Sequence, residues 1–420
     1  MSLRFLLTSW GNPGNLNPML TAARRLRDRG HRVRILGEAA HQEETTQAGF
    51  DCLSWRRPAP PVPPEADAED PVWAEIRVLF EQIMFGAALD YAADTMDALR
   101  SEPADAILTN DFLAGPAIAA EASGIPYALL SPHVSIRPLD GVPSGASGLM
   151  PSEDPEEQAK ELAARTRFTE FMTGCLPTLN RARAAYGLVP LGHIFDHHDR
   201  ADRMLIGLSA AFDFPAKRLP SNVQYVGPLL DPPAWSHPWT APWSGKPVRP
   251  RVLVSLSTSF QNQAEMLRRI VTALGTMDLD AVVTVGPAME KETLPAFDNV
   301  SVIHSAPHDT VMKEVSLVVT HGGHGTVTRS LVNGVPLLVL PMGRDQGDNA
   351  ARVVARGAGL ALTDDASGED IVFAVGRLIA EPQFKAAAVA LGAAIAKEVA
   401  SPALVTEMEA IASLRWLRSA

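Results

Sequence analysis

The segment richest in chemistry is Thr320-His321-Gly322-Gly323-His324-Gly325-Thr326. Three glycines fall within four positions, between an apolar run that ends at Thr320 and a helical pattern that continues to Leu331. Glycine lets backbone N–H groups come close to a ligand, and the first turn of a helix adds partial positive charge. Together they make an anion site, most often for phosphate, and each histidine adds an imidazole donor beside it. The segment matches neither Gly-x-Gly-x-x-Gly nor the Gly-Lys-Ser/Thr ending of a P-loop. Taken alone it could be tight packing; the histidines favour the anion.

Two more groups fall on the same edge. Asp345 and Gln346 stand in the loop after the next strand. A carboxylate beside a carboxamide both accepts from and donates to hydroxyl groups, whereas a carboxylate aimed at phosphate would repel it. A sugar is therefore the expected occupant. Ser257-Thr258-Ser259 places three hydroxyls after the first strand of this half. Singly, Asp345 reads as a loop cap and the hydroxyls as ordinary turn chemistry. Jointly, the three segments converge on the carboxyl edge of a sheet, where open α/β sheets bind ligands.

The elements needed to bring them there are legible. Leu3–Ser9 reads as a strand, and Gly11, Pro13 and Gly14 interrupt regular structure after it. The spacing then predicts a helix with Asn17 as N-cap, Pro18 in its first turn and Met19, Ala22, Ala23 and Leu26 on one face, stopped by Gly30. Arg32–Gly37 is the next strand, and the pattern recurs through Ala106–Thr109, Gly115–Ser123 and Tyr127–Leu130. Residues 228–250 hold seven prolines, and residues 58–64 hold five; neither stretch can propagate a helix or a central strand. Trp235, Trp239 and Trp243 in the longer stretch read as indoles pinning a linker, since Pro238 and Pro242 exclude an aromatic helix face. Alternation restarts with strands at 252–256, 281–286, 315–320 and 335–340 and helices at 263–274 and 348–355. The fold class is α/β, with two doubly wound Rossmann-like domains facing each other. An Ala-rich helical stretch, broken near Ser401-Pro402, closes the chain.

Composition narrows the function. The chain has 37 Lys and Arg against 48 Asp and Glu, a net charge of −11, so no basic surplus exists to neutralise nucleic acid or an anionic membrane. The two cysteines, Cys52 and Cys175, lie far apart and match no metal spacing. No run approaches the ~20 apolar residues of a bilayer span, and the N-terminus lacks a leader pattern, so a cytoplasmic location is expected. Asp196-His197-His198-Asp199 reads as a solvated turn rather than a metal cluster, and Met84, Phe85 and Leu89 as core or cleft wall.

These motifs resemble those of nucleotide-sugar-dependent glycosyltransferases of the GT-B fold, in particular family GT1 and its bacterial antibiotic and natural-product branch. The likeness covers most of the chain and is densest from Ser305-Ala306-Pro307-His308 through the glycine turn to Asp345-Gln346. It implies that His321, Gly323, Gly325 and Thr326 hold a diphosphate, that Asp345 and Gln346 hold sugar hydroxyls, that Ser257 and Thr258 lie near the phosphates, and that the backbone at Ala306 lines the base. It also implies an acceptor domain over 1–230, a linker over 231–250, a nucleotide-sugar domain over 251–400, and a C-terminal helix over 401–420 that packs back on the first domain. The partners implied are a nucleotide sugar and a lipophilic small molecule, with neither nucleic acid nor metal cofactor; a homodimer is left open. Arg329 stands where many relatives carry a Glu for the ribose, which leaves uridine against thymidine undecided. Ser305 stands where plant relatives stack a Trp.

In the first loop, Gly14-Asn15-Leu16-Asn17-Pro18 resembles the family's Gly-His-x-x-Pro, so Asn15 replaces the usual base. An amide accepts no proton at neutral pH, and general-base help is worth ~10²–10⁴-fold. Asp111 matches the carboxylate that orients the family histidine and is the preferred base here, directly or through water; otherwise it caps the helix near Gly115. His133 is the second candidate, and an acidic hydroxyl or a nucleophilic amine on the acceptor is the third way out. Two other functions fit the motifs: a nucleotide-sugar epimerase or hydrolase, and a non-catalytic nucleotide-sugar-binding partner.

Overall fold

The computed structural model describes residues 2–11, 13–62, 71–231, 239–243, 245, 247–256, 263–286 and 293–418. The first domain is a parallel sheet of β1 (Arg4–Thr8), β2 (Arg32–Gly37), β3 (Asp51–Ser54), β4 (Ala106–Asn110), β5 (Tyr127–Ser131), β6 (Arg203–Ile206) and β7 (Val223–Tyr225), in the order β3-β2-β1-β4-β5-β6-β7. The second holds β8 (Arg251–Ser255), β9 (Asp280–Thr284), β10 (Val300–Ile303), β11 (Leu317–Thr320), β12 (Leu337–Val339) and β13 (Gly359–Ala361), in the order β10-β9-β8-β11-β12-β13. Every residue of β4 and β8 is buried. Helices cover both faces of such a sheet, which is why these strands read as continuous apolar runs rather than alternating ones.

Helix Ala264–Gly275 shows how the sequence builds these layers. Met266, Leu267, Ile270, Val271 and Leu274 form its buried face, and they share one core with Val252 and Val254 of β8 and with Ile371, Val375 and Leu378 of helix Gly368–Ala380. A capping box starts the second helix, with the Asp370 N–H donating to Ser367 Oγ at 3.1 Å and the Ser367 N–H to Asp370 Oδ2 at 2.9 Å.

Each sheet reverses its strand order once, between β1 and β4 and between β8 and β11. The crevice beyond the strand ends at such a point is where doubly wound sheets take ligands. Residues 9–15 and 111–113 come after β1 and β4; residues 256–262 and 321–323 come after β8 and β11. Asn15, Asp111 and His321 therefore sit beside the two reversals, and His133, Asp345 and Gln346 follow the neighbouring strands β5 and β12.

Three expectations change. The first helix runs Pro13–Asp28, so Asn15 and Asn17 lie inside it and Asn17 is no cap. Pro13 suits a first helical position, and Pro18 is accommodated within the helix. The stretch Pro382–Leu414 does have the length and hydropathy of a membrane span. It comprises two helices, Pro382–Val399 and Ala403–Arg418, and its alanines raise the mean hydropathy. The second of these lies on the first domain, with Leu404, Met408 and Ile411 fully buried against Phe5, Leu7 and Leu20, and Glu409 Oε1 2.9 Å from His31 Nε2. Finally, His197 and His198 are buried rather than solvated. Burial holds both imidazoles neutral, while Asp199 turns out to Arg137, and no His, Cys, Asp or Glu cluster suited to a metal occurs among the described residues.

In the linker, the Trp239 and Trp243 Nε1–H groups donate to Glu314 at 3.1 and 2.7 Å, pinning it to the second domain. Trp235 lies outside the described residues.

Candidate functional site

Helix His324–Val332 starts directly after the glycine turn, with Gly323 as its N-cap and Gly325 exposed in its first turn. Gly322 adopts φ +96°, and a Cβ there would stand 2.8 Å from Val339 Cγ1, so only glycine lets the turn pass under β12. A Cβ on Gly323 would stand 2.6 Å from His321 Nε2, so the imidazole lies directly over the turn. Burial pulls the His321 pKa down to about 4, against the Ser255 carbonyl and the Asp345 carboxylate, so the ring is neutral at pH 7. A neutral imidazole carries a single N–H, and the Ser255 carbonyl is an acceptor for it. Thr326, half-buried in the same first turn, presents a hydroxyl beside these backbone donors.

His324 points elsewhere. Its Nε2 lies 3.4 Å from Thr328 Oγ1, and the ring meets the Gly207 carbonyl of the first domain, so it bridges domains instead of facing the turn. Ala306, 6% exposed, lies after β10 beside Val311 and Met312. Arg329 pairs with Asp309 and donates to the Asp231 carbonyl, so its guanidinium braces the 305–309 loop against the linker. Ser257 and Thr258, with Ser259, lie outside the described residues.

The loop after β12 holds Gly343 at φ +142° and Arg344 at φ +56°, a left-handed conformation that costs a non-glycine residue about 1–2 kcal/mol. Gln346, 2% exposed, stabilises that loop by accepting the Met342 N–H at 2.8 Å. Asp345 precedes helix Gln346–Ala355, and its Oδ2 accepts from Asn349 Nδ2 at 3.1 Å. Asp345 is half-buried, and its charge favours the protonated forms of His133, His321 and His324. It therefore faces both half-sites across one cleft.

In the first domain, the structure joins two candidates that the sequence kept apart. Asp111 is fully buried after β4, and its Oδ1 lies 3.0 Å from His133 Nε2 after the neighbouring β5. His133 Nδ1 lies 2.9 Å from the Val134 carbonyl. Burial opposes a charged ring, but Asp111 and that carbonyl prevail and push the His133 pKa up to about 9. At neutral pH the ring is thus an imidazolium donating from both nitrogens. Asp111 Oδ2 is buried and has no hydrogen-bond partner. Asp111 does not cap the next helix, Ala114–Ala122, whose N-cap is Leu113.

Phe112 stacks on His133 at 4.3 Å between ring centres, and Trp10 meets Phe112 edge-on at 6.1 Å. Asn110 fixes both by accepting the Trp10 Nε1–H and the Phe112 N–H at 3.3 and 2.9 Å. Half-buried rings beside an unpaired carboxylate oxygen form a wall for an apolar ligand that carries an acidic proton. Asn15, half-buried in the first helix, lies near Gly11, where an added Cβ would stand 3.3 Å from its Nδ2. Trp10 and Phe112 escaped the sequence reading, although both stand just after strands at a reversal, which is the signal that would have found them.

The chain is similar to known proteins over most of its length. Residues 268–411 match the family described as erythromycin biosynthesis protein CIII-like, C-terminal domain. Over 406 residues the chain is 28% identical to 4'-demethylrebeccamycin synthase of Lentzea aerocolonigenes, covering 92% of this chain and 94% of that one. It is 26% identical to the TDP-daunosamine transferase DnrS of Streptomyces peucetius, covering 97% and 96%. Its fold superposes on CalG4, the calicheamicin glycosyltransferase, with a TM-score of 0.74 at 21% identity over 98% of each chain.

Proposed function

From the premise that this chain is a glycosyltransferase of the GT-B fold and family GT1, we propose that it is an inverting enzyme. It moves a sugar from a nucleoside diphosphate sugar to a lipophilic natural-product acceptor. The observation that carries this is the pairing of two chemically opposite half-sites, an anion-binding turn at His321 and an unpaired carboxylate oxygen on Asp111, with Asp345 between them.

The diphosphate lies on the N-terminus of helix His324–Val332, over Gly323, Gly325 and Thr326. The base runs along Ala306, and the sugar hydroxyls reach Asp345 and Gln346. The acceptor rests against Trp10 and Phe112. Asp111 Oδ2 takes the proton from the acceptor heteroatom as that atom attacks the anomeric carbon opposite the diphosphate. The carbon–oxygen bond to the diphosphate breaks, its electrons stay on the diphosphate, and the configuration at carbon inverts. Charge developing there meets the turn's N–H groups and the helix terminus, and these donors serve in place of a metal ion. The imidazolium of His133 keeps Asp111 aimed.

A thymidine diphosphate sugar fits better than a uridine one. Arg329 is committed to Asp309 and Asp231, so the position offers no carboxylate to a ribose 2′-hydroxyl, a group that deoxyribose lacks. The name of the relative DnrS points the same way.

The test is incubation with thymidine and uridine diphosphate sugars and a panel of aglycones, with glycosides read by mass spectrometry. Product from donor and acceptor together supports the reading. Donor consumed equally without acceptor would make the protein a hydrolase or epimerase, and binding without turnover would make it a non-catalytic partner.

A further inference from the structure

Helix Gln346–Ala355 begins at the sugar-binding pair and continues straight into the other domain. Two residues after Gln346, the buried Asp348 turns its carboxylate across the cleft, where Oδ2 accepts the Ala146 N–H at 2.6 Å and Oδ1 the Gly148 N–H at 2.8 Å. Ala146 and Gly148 have φ of +63° and +66°, left-handed conformations that aim both N–H groups at one point, as in an anion-binding nest. Between Gln346 and Asp348, a Cβ on Gly347 would stand 3.3 Å from Gly148 Cα, so the two backbones meet there.

One turn on, Arg352 is 2% exposed, and its Nε–H donates to Asp213 Oδ1 at 2.7 Å, while Tyr225 Oη–H donates to Asp213 Oδ2 at 2.7 Å. Arg352 also returns a bond to its own helix, donating from Nη1 to the Asp348 carbonyl at 2.9 Å, and lies 4.6 Å over the Phe214 ring. Packing interlocks in both directions. Ala351 sits in the first domain's core with Val134 and Val142, and Phe212 of the first domain sits among Val327, Leu331 and Val339 of the second.

We propose that Asp348 and Arg352 are positioning residues that lock the sugar-binding loop to the acceptor domain, so that placing the sugar and closing the cleft are one event. This rests on Asp345 and Gln346 holding the transferred sugar. Neither residue touches substrate. Helix Gln346–Ala355 does touch the glycine turn, through Asn349 Nδ2 donating to the Gly322 carbonyl at 2.9 Å, but Asp348 and Arg352 bond only the first domain and their own helix, so loosening them leaves nucleotide binding intact and misplaces the sugar relative to the acceptor. A misplacement of about 1 Å costs about 100-fold in rate. Water then competes with the acceptor for the anomeric carbon.

The experiment uses the full chain with Asp348→Asn, which sets an amide N–H against one of the two N–H donors. A second variant, Tyr225→Phe, is mild and removes only one bond to Asp213. Thymidine diphosphate affinity is measured by calorimetry, transfer by kcat and KM, and donor hydrolysis alongside transfer. The expected result is unchanged thymidine diphosphate affinity, a kcat for transfer lower by roughly 10- to 100-fold in Asp348→Asn, and a higher ratio of hydrolysis to transfer in both variants. If Asp348→Asn fails to fold, the ratio in Tyr225→Phe decides. A wild-type ratio in the variants that fold, or nucleotide affinity lost in step with transfer, overturns the proposal. Absence of transfer by the wild-type protein would instead overturn the functional reading beneath it.

Discussion

The protonation of His133 yields a prediction that separates two mechanisms. Its pKa of about 9 results from burial, which opposes the charge, and from Asp111 at 3.0 Å and the Val134 carbonyl, which outweigh it. Two pH units below that value, only roughly 1% of molecules hold a neutral ring. Were neutral His133 the base, kcat would rise about tenfold per pH unit from 7 to 9 and then level off. With Asp111 as base and His133 as its cationic support, kcat is flat through neutrality and falls above about pH 9. The same pairing is a stability term. A histidine raised from 6.5 to about 9 contributes its full stabilisation below pH 6.5 and loses it as pH climbs through 9, about 3 kcal/mol in all. Asp111→Asn should lower kcat by ~10²–10⁴-fold and flatten that part of the stability curve. The assays are kcat at saturating substrates from pH 6 to 10, and urea unfolding of both proteins at pH 6.5 and 9.5. A log-linear rise in kcat up to pH 9 would refute the assignment.

Gly323→Ala puts a Cβ 2.6 Å from His321 Nε2 and so displaces the imidazole; the rise in melting temperature caused by thymidine diphosphate should shrink, while unliganded melting changes little. Arg329→Ala removes the brace between Asp309 and the Asp231 carbonyl, and should cost about 1–3 kcal/mol in thermal unfolding and raise the donor KM. Across a series of related acceptors, kcat should increase as the acidity of the attacking O–H or N–H increases; a flat series would remove proton transfer from the rate-limiting step.

Legibility in the sequence tracks locality. Buried parallel strands are short apolar runs, and Gly and Pro mark their ends, so β1, β4, β8 and β11 and the glycine turn could be located from neighbouring residues alone. The Asp111–His133 contact was half visible. Both residues were candidates for the base, but their meeting depends on β4 and β5 being adjacent. The Asp348 and Arg352 contacts left no local trace, because their partners Ala146, Gly148 and Asp213 lie 202, 200 and 139 residues away. His197 and His198 misled for the opposite reason. Their flanking aspartates suggest water, yet those carboxylates turn outward to Arg137 and the Gly192 N–H and leave the imidazoles inside.

Asn15 then ceases to argue against catalysis. In the proposed mechanism the carboxylate of Asp111 acts without a histidine at position 15, and His133 from the end of the next strand holds it. That arrangement has a chemical consequence. The His133 ring donates to Asp111 Oδ1 and leaves the buried Oδ2 as the oxygen able to accept a proton. Any carboxylate is a weak base beside an aliphatic hydroxyl, so Asp111 in the proposed role suits a proton that is already leaving, from a phenol, a heteroaromatic N–H or a nucleophile whose proton departs late in the transition state. The aromatic wall of Trp10 and Phe112 suits flat, conjugated molecules, in which such acidic protons are common. On the proposed mechanism, a carboxylate base and the aromatic lining beside it point to the same kind of acceptor.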